Sequence, residues 1–302
     1  MTGALLVDKP SGPTSHDVVA FTRRLLQTSR VGHTGTLDPL ATGLLVLLIG
    51  HATRLAQYLV TDEKEYIADV RLGIATPTYD SQSLADPRAS GRGETTVTRA
   101  AIEAALPDFL GTFPQIPPPY SAKKVQGVRA YEKARRHEAL DLKPVEVTVH
   151  ELELLSCDAR PDGLVRLRVA ASAGFYVRSL AHDLGQVLGC GAHLEGLRRT
   201  RAGRFRVEDA APLDRLQAAG PGAAERLIPV NALLADFPAV TLTDEGLRRA
   251  GKGNSLAPHH VQGAFPALAA GHHVRVLQPS GEVLAVAETR LDGLLHPLLV
   301  LR

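Results

Sequence analysis

The stretch Gly32-His33-Thr34-Gly35-Thr36-Leu37-Asp38-Pro39-Leu40-Ala41-Thr42-Gly43 runs directly into Leu44-Leu45-Val46-Leu47-Leu48-Ile49, and that junction constrains the fold more than any other part of the sequence. The apolar run is too short for a surface helix and lacks the alternation of a half-buried strand. It reads as a strand buried on both faces. It is also far too short to span a bilayer. The Gly- and Thr-rich loop ahead of it is therefore held on a rigid element while facing a cleft.

Aromatic residues make up 4% of the 302 and Trp is absent, whereas 44% of the residues are apolar, so the core is aliphatic. The length suits one large domain with a small one. Cys157 and Cys190 lie outside any CxxC spacing, which argues against a cysteine zinc site or a disulfide framework and points to a reducing cytosol. The opening MTGALLVDKP has no basic segment ahead of its apolar residues and does not look like a secretory signal. The expected location is cytoplasmic, with no membrane partner.

Along the chain, Ala4 to Val7 reads as a buried strand closed by the turn signal Ser11-Gly12-Pro13, and Ser15 is placed to cap a helix running to about Gln27. A helix is expected from about Ala52 to Val60 and a strand from about Tyr66 to Ile74. Residues 75–95 have no periodicity and read as a long surface loop or insertion. A helix from Thr98 to Leu110 precedes the Pro-rich segment Phe113–Tyr120 and a basic, partly helical arm at 123–136. Strands follow at 145–156 and 163–172, a helix at 176–188, and two strands within 192–207. The Ala-rich segment around Pro221-Gly222 gives no clear pattern, and a domain boundary falls near 235. Beyond it come a strand (239–242), a short helix from Thr243, and strands at 273–278, 282–288 and 298–301, which suggest a compact β module.

Asp38 is the candidate for chemistry. A carboxylate so anchored can serve as a positioned nucleophile or base, or it can be an Asx-turn residue capping backbone N–H groups; spacing alone favours the second. No HExxH, P-loop or GxGxxG pattern is present. His259-His260 and His272-His273 fall in expected loops and read as solvated rather than metal-binding. The expectation is chemistry without a cofactor or a metal.

The segment GHTGTLDPLATGLL, preceded by LLVDKPSGPTSHDVV, resembles the first signature of the TruB family of tRNA pseudouridine-55 synthases. KEYIADVRLG at 64–73, IPPPYSAKKVQGVRAYEKAR at 116–135 and GFYVRSLAHDLGQVLGCGAHLEGLRR at 174–199 match further family segments in order. The resemblance covers about 1–210, and the tail from about 237 looks like the family's PUA-type RNA-binding module.

It implies an α/β (α+β) catalytic domain at 1–235 on a mixed, largely antiparallel sheet, with a clamping arm at about 113–137 and a PUA-like β module at 236–302. It also implies an isomerase that converts a T-loop uridine of tRNA to pseudouridine as a monomer with no obligatory protein partner. By the same resemblance Asp38 is the catalytic carboxylate, Tyr66 stacks on the base and reaches a proton on C5, and Arg178 keeps Asp38 charged and oriented. Tyr176 and Leu197 line the base pocket, and His33 fills the space that the flipped base vacates. Lys9 lies near the same cleft. Two other functions stay open: a T-loop-binding tRNA-folding chaperone, and a guide-dependent synthase of the dyskerin type.

The formal net charge of +2 gives by itself no reason to expect a polyanionic partner. Read by position, Arg198, Arg199, Arg201, Arg204 and Arg206 form an acid-free stretch, and Lys123, Lys124, Arg129, Lys133, Arg135 and Arg136 surround only Glu132. A charge run is usually a solvated face. Beside segments that the resemblance assigns to RNA contact, these cations are expected to face phosphates and to make binding salt-dependent. One departure stands out. ATPTYDSQS replaces the TDTxDxxG-like sequence of many members, with Pro77 in place of the first acid and Asp80 retained.

Overall fold

Leu44 to Ile49 are each at most 2% exposed, and the reason is cover on both faces. The computed structural model describes residues 1–60, 63–83, 97–121, 124–125, 128–129, 133, 136, 141–158 and 163–301. In chain order the strands up to residue 212 are β1 (Gly3–Lys9), β2 (Val31–His33), β3 (Thr42–Ile49), β4 (Lys64–Leu72), β5 (Gly111–Gln115), β6 (Lys124–Val125), β7 (Val128–Arg129), β8 (Val145–Cys157), β9 (Leu164–Ala171), β10 (Ala192–Ala202), β11 (Phe205–Arg206) and β12 (Ala211–Pro212). Among the described residues the α-helices are α1 (Ser15–Leu25), α2 (Ala56–Leu59), α3 (Arg99–Ala105), α4 (Val177–Val187), α5 (Leu213–Ala219), α6 (Val230–Leu233) and α7 (Asp244–Ala250).

Among the described residues the larger sheet has ten strands in the order β12-β1-β3-β10-β4-β9-β8-β5, with β2 beside β3 and β11 beside β10. The β1–β12 and β3–β10 pairs are parallel, and the other pairs in this sheet are antiparallel. This is the mixed, largely antiparallel sheet expected. On one face of β3, Leu45, Leu47 and Ile49 pack with Leu5, Val7 and the α1 residues Val18 and Val19. On the other, Leu44, Val46 and Leu48 pack with Leu6 and with Val286 and Leu299 of the C-terminal segment. Farther out the pattern changes: β4 alternates buried and half-buried positions. Its inner side chains Ala68, Val70 and Leu72 meet Ile102 of α3 and Leu180 and Leu184 of α4, while Glu65, Asp69 and Arg71 pair with ions on the outer face.

A second sheet, of five strands, takes the order β14-β13-β15-β16-β17. Its strands are β13 (Ala239–Leu242), β14 (Val261–Gln262), β15 (His273–Leu277), β16 (Val283–Thr289) and β17 (Leu295–Val300). It has its own core of Val240, Leu242, Val274, Val276 and Ala285. The expected strands at 239–242, 273–278 and 282–288 are present, and the one expected at 298–301 runs over Leu295–Val300 instead; the helix expected from Thr243 is also present, with the Thr243 hydroxyl accepting from Gly246 N.

Two local expectations differ. Thr14 caps α1 in place of Ser15: its hydroxyl accepts from Asp17 N at 3.1 Å while Asp17 accepts from Thr14 N at 2.8 Å, the reciprocal pair that satisfies two free amides. Between 211 and 233, where no pattern was legible, β12, α5 and α6 close the sheet beside β1. The basic arm is described only as the β6–β7 pair and two single residues, and of the loop or insertion expected at 75–95 residues 84–95 lie outside the described residues.

Gly43 has φ +95°, and a Cβ there would sit 2.3 Å from the carbonyl oxygen of Arg199 across the parallel β3–β10 pair. Gly43→Ala is expected to cost about 2 kcal/mol or more, from left-handed strain and forced separation of the strands. Urea unfolding measures it, and an unchanged midpoint would contradict this account.

Candidate active site

The loop between β2 and β3 has few sheet partners for its carbonyls, so side chains supply them. Ser15, freed from capping, accepts from Leu37 N at 2.8 Å and donates to Leu37 O at 3.0 Å. Lys9 is fully buried, and its ammonium donates to Pro10 O, Pro13 O and, at 3.4 Å, Pro39 O. Arg199, 2% exposed, donates to Leu44 O at 2.7 Å and to Gly35 O at 3.1 Å. With Gly12 N donating to Pro39 O, these contacts fix the backbone on both sides of Asp38.

The Asp38 carboxylate meets Arg178 rather than capping the loop: Arg178 Nε lies 2.9 Å from Oδ2. Arg178 sits in the first turn of α4, where Gln115 fixes the helix start by accepting from Tyr176 N and donating to Tyr176 O. The guanidinium also donates to Thr78 O at 3.2 Å and Tyr120 O at 3.0 Å, and lies 3.5 Å from Asp80 Oδ2. Asp80 is buried, and its other oxygen accepts from Thr78 Oγ1 at 2.6 Å and from Gln82 N at 3.1 Å. The retained acid thus supplies the second carboxylate to Arg178 although Pro77 has replaced the first.

Asp38 opens onto a cavity of about 270 Å³ that also takes in Tyr66, Tyr176, Leu197 and Arg178. Burial pushes the Asp38 carboxyl above its ordinary range; Arg178 opposes that shift, Asp80 adds to it and Lys9 opposes it. Tyr66 is buried opposite Arg199 and Val169 in neighbouring strands. Burial raises the Tyr176 phenol, so it keeps its proton at neutral pH. His33 lies just outside the cavity lining, half-buried, with its ring edge-on to the exposed His16 at 5.8 Å. Burial lowers its pKa, and a neutral flat ring results.

Lys9 and Arg199 are buried and donate to loop carbonyls, and Arg199 also lines the cavity. Arg198 makes a two-pronged pair with Asp8 at 2.9 and 3.0 Å, and Arg201 pairs with Glu63. The acid-free stretch is therefore acid-free only along the chain. Lys123 lies outside the described residues, and Lys124 and Arg129 are described by backbone alone. His260 is buried, not solvated: its Nδ1 accepts from Ala257 N at 2.9 Å, and Nε2 faces Glu245 at 3.7 Å. With Nδ1 accepting, the neutral ring carries its hydrogen on Nε2, so that atom has no lone pair for a metal beside Glu245 and His259. Ser15, Gln115 and the role of Asp80 escaped sequence reading; only the retained acid in ATPTYDSQS gave any signal.

Burial pushes Lys9 down to about 8 from 10.5, against the pull of Asp38. Between those values the unfolded chain binds more protons than the folded one, so this group makes stability rise with pH. The unfolding free energy of the wild type minus that of Lys9→Met is expected to grow from about pH 8 to 10.5. Urea titrations across that window check it, and a flat or falling difference contradicts it.

The TruB family pseudouridylate synthase N-terminal domain matches residues 23–177, and the tRNA pseudouridylate synthase B C-terminal domain matches 178–234. A protein of Solibacter usitatus named tRNA pseudouridine synthase B is 42% identical over 303 residues, covering 100% of both chains. One of Thermobifida fusca with the same name is 45% identical, covering 99% of this chain and 98% of its own. Among solved structures, an H/ACA RNP bound to a substrate RNA containing 2′-deoxyuridine gives a TM-score of 0.71 at 25% identity, covering 99% of this chain and 85% of that one. A Cbf5-Nop10-Gar1 complex gives 0.70 at 27%, covering 96% and 79%. With family models matching residues 23–234 and full-length relatives above 40% identity, the chain belongs to the TruB family of pseudouridylate synthases.

Proposed function

We propose that the chain isomerises uridine 55 in the T-loop of tRNA to pseudouridine, with Asp38 as the catalytic carboxylate. The observation that carries this reading is the Asp38 carboxylate held 2.9 Å from a buried Arg178 at a cavity that also contains Tyr66. Full-length relatives named tRNA pseudouridine synthase B support the substrate class.

The target base must leave its stack, at a cost of a few kcal/mol. His33, neutral and at the edge of the cavity, fills the vacated space. In the cavity Tyr66 stacks on the uracil, and Leu197 gives an apolar wall against which the detached base turns. Ionised Asp38 attacks the nucleotide or removes a ribose proton, and the C1′–N1 bond breaks. The base rotates and C5 bonds to C1′ as the bond to Asp38 breaks or, on the other route, as the ribose proton returns to its carbon; the proton on C5 leaves by way of the Tyr66 hydroxyl, and N1, which has lost C1′, ends with a proton in its place. Atoms and electrons are conserved, so neither a cofactor nor an energy source is consumed. Arg178 keeps the carboxylate charged and oriented.

Residues 1–235 form the catalytic domain and 236–302 a PUA-like RNA-binding module. The arm at 113–137, with Lys123, Lys124 and Arg129, clamps the RNA. Arg198 and Arg201 reach phosphate by exchanging their acidic partners. The chain works as a monomer in the cytoplasm, and no described helix is long and apolar enough to cross a membrane. The likeness to Cbf5 complexes favours a second reading, dependence on a guide RNA and partner proteins. Activity of the purified chain on bare tRNA excludes that dependence.

Asp38→Asn is expected to abolish pseudouridine formation in an unmodified tRNA transcript, by at least about 10³-fold, while RNA affinity stays within about threefold. Position mapping of pseudouridine and a binding titration read the two quantities. Unchanged turnover would sink the mechanism. Because Asp38 must be ionised and burial raises its pKa, the acid limb of kcat/KM is expected above the ordinary carboxylate range. A pH–rate profile locates it, and a limb at or below the ordinary value contradicts the assignment.

A further inference from the structure

The segment between β4 and the insertion is tied to α4 twice. One tie is Arg178, whose guanidinium takes Thr78 O and Asp80 from that segment. The other lies one helical turn on, where the imidazole of His182 stacks on the ring of Tyr79 with centroids 3.8 Å apart and planes 9° from parallel. Residues four apart on a helix share a face, so both ties pull the segment onto the same strip of α4.

Tyr79 stands between Thr78 and Asp80, the two residues that hold Arg178. Its φ is +62°, in the left-handed region that a bulky side chain rarely adopts. Such a backbone persists only where its surroundings over-determine it. Here Tyr79 O accepts from Leu194 N at 2.9 Å, Ser81 N donates to Leu194 O at 3.0 Å, and the ring is seated on His182. Burial lowers the pKa of His182, so a neutral ring forms the stack. A non-glycine residue in this conformation immediately before Asp80 points to function, since a glycine would hold the backbone at less cost.

The geometry points to the Tyr79–His182 stack as a positioning device for the reaction: it seats the segment whose Thr78 carbonyl and Asp80 carboxylate aim Arg178 at Asp38. The two rings touch neither the cavity nor the reacting atoms, and they act through Arg178. This inference rests on the proposed activity of the site.

The test is single-turnover and steady-state pseudouridine formation on an unmodified tRNA transcript, with melting followed by circular dichroism. Tyr79→Phe keeps the ring and is expected within about twofold of wild type. Tyr79→Ala and His182→Ala remove the stack and are expected to lower kcat by about 10- to 100-fold, the loss typical of a misplaced catalytic group, with KM within about twofold. Tyr79→Gly, which accepts the left-handed backbone, is expected to lose as much as Tyr79→Ala, so the stack and not the strain is what matters. His182→Phe restores a flat ring and is expected to recover most of kcat. The double variant Tyr79→Ala/His182→Ala is expected to match either single one, because both remove one contact. If His182→Ala does not fold, His182→Leu, apolar but not flat, replaces it. Overturning results are His182→Ala or Leu within twofold of wild type, equal losses in His182→Phe and His182→Ala, or a rise in KM with kcat unchanged. Wild-type protein that binds tRNA and forms no pseudouridine refutes the proposed activity itself, a separate outcome.

Discussion

A buried guanidinium has to be paid for, and the site is organised around that requirement. Arg178 is 6% exposed, and its donors face two carboxylates and the carbonyls of Thr78 and Tyr120. Relative to apolar packing such an arrangement adds little stability, yet removing one partner strands a charge at a cost of about 3–5 kcal/mol. The loop carrying Asp38, the segment carrying Asp80 and the strand exit carrying Tyr120 are therefore brought to one side chain and held there. What results is orientation of a carboxylate that burial would otherwise drive toward its neutral form.

A second layer of cations serves the loop itself. Backbone carbonyls removed from water need donors, and a Gly- and Thr-rich turn between β2 and β3 has few of its own. Lys9 and Arg199 supply them from opposite flanks. Both residues look like ligand contacts when read as isolated charges, and in the fold both hold the loop. Their positive charge still acts at a distance: Lys9 helps Arg178 keep Asp38 ionised. Position relative to the backbone, and not charge alone, separates a clamp from a contact.

The sheets have an equally definite division of labour. β3 is apolar without alternation because α1 and the second sheet cover opposite faces, with Val286 and Leu299 reaching the same cluster as Leu44 and Val46. β4 and β9 alternate because only their inner face meets α3 and α4. The outer face carries an ion lattice in which Arg168 lies among Glu65, Glu151 and Glu153. Exposed pairs of this kind contribute about 0–1 kcal/mol each; they satisfy a polar face and do not hold the fold.

Local patterns determined much of this in advance. Six apolar residues announce β3, and the Gly- and Thr-rich loop singles out Asp38 as the candidate carboxylate through its resemblance to a known signature. The segment 211–233 stayed illegible because β12 and two short helices form against β1 without a periodicity of their own. Only tertiary structure decided how the charges pair. Arg178 and Asp80 are 98 residues apart, and Arg201 and Glu63 are 138 apart, yet each pair is in contact. Hydrophobic periodicity is a property of neighbours in the chain, whereas electrostatic pairing depends on distance through space. That is why the sequence singles out the loop that carries Asp38, and the fold alone reveals that Lys9 and Arg199 clamp it, that Asp80 holds Arg178, and that Tyr79 rests on His182.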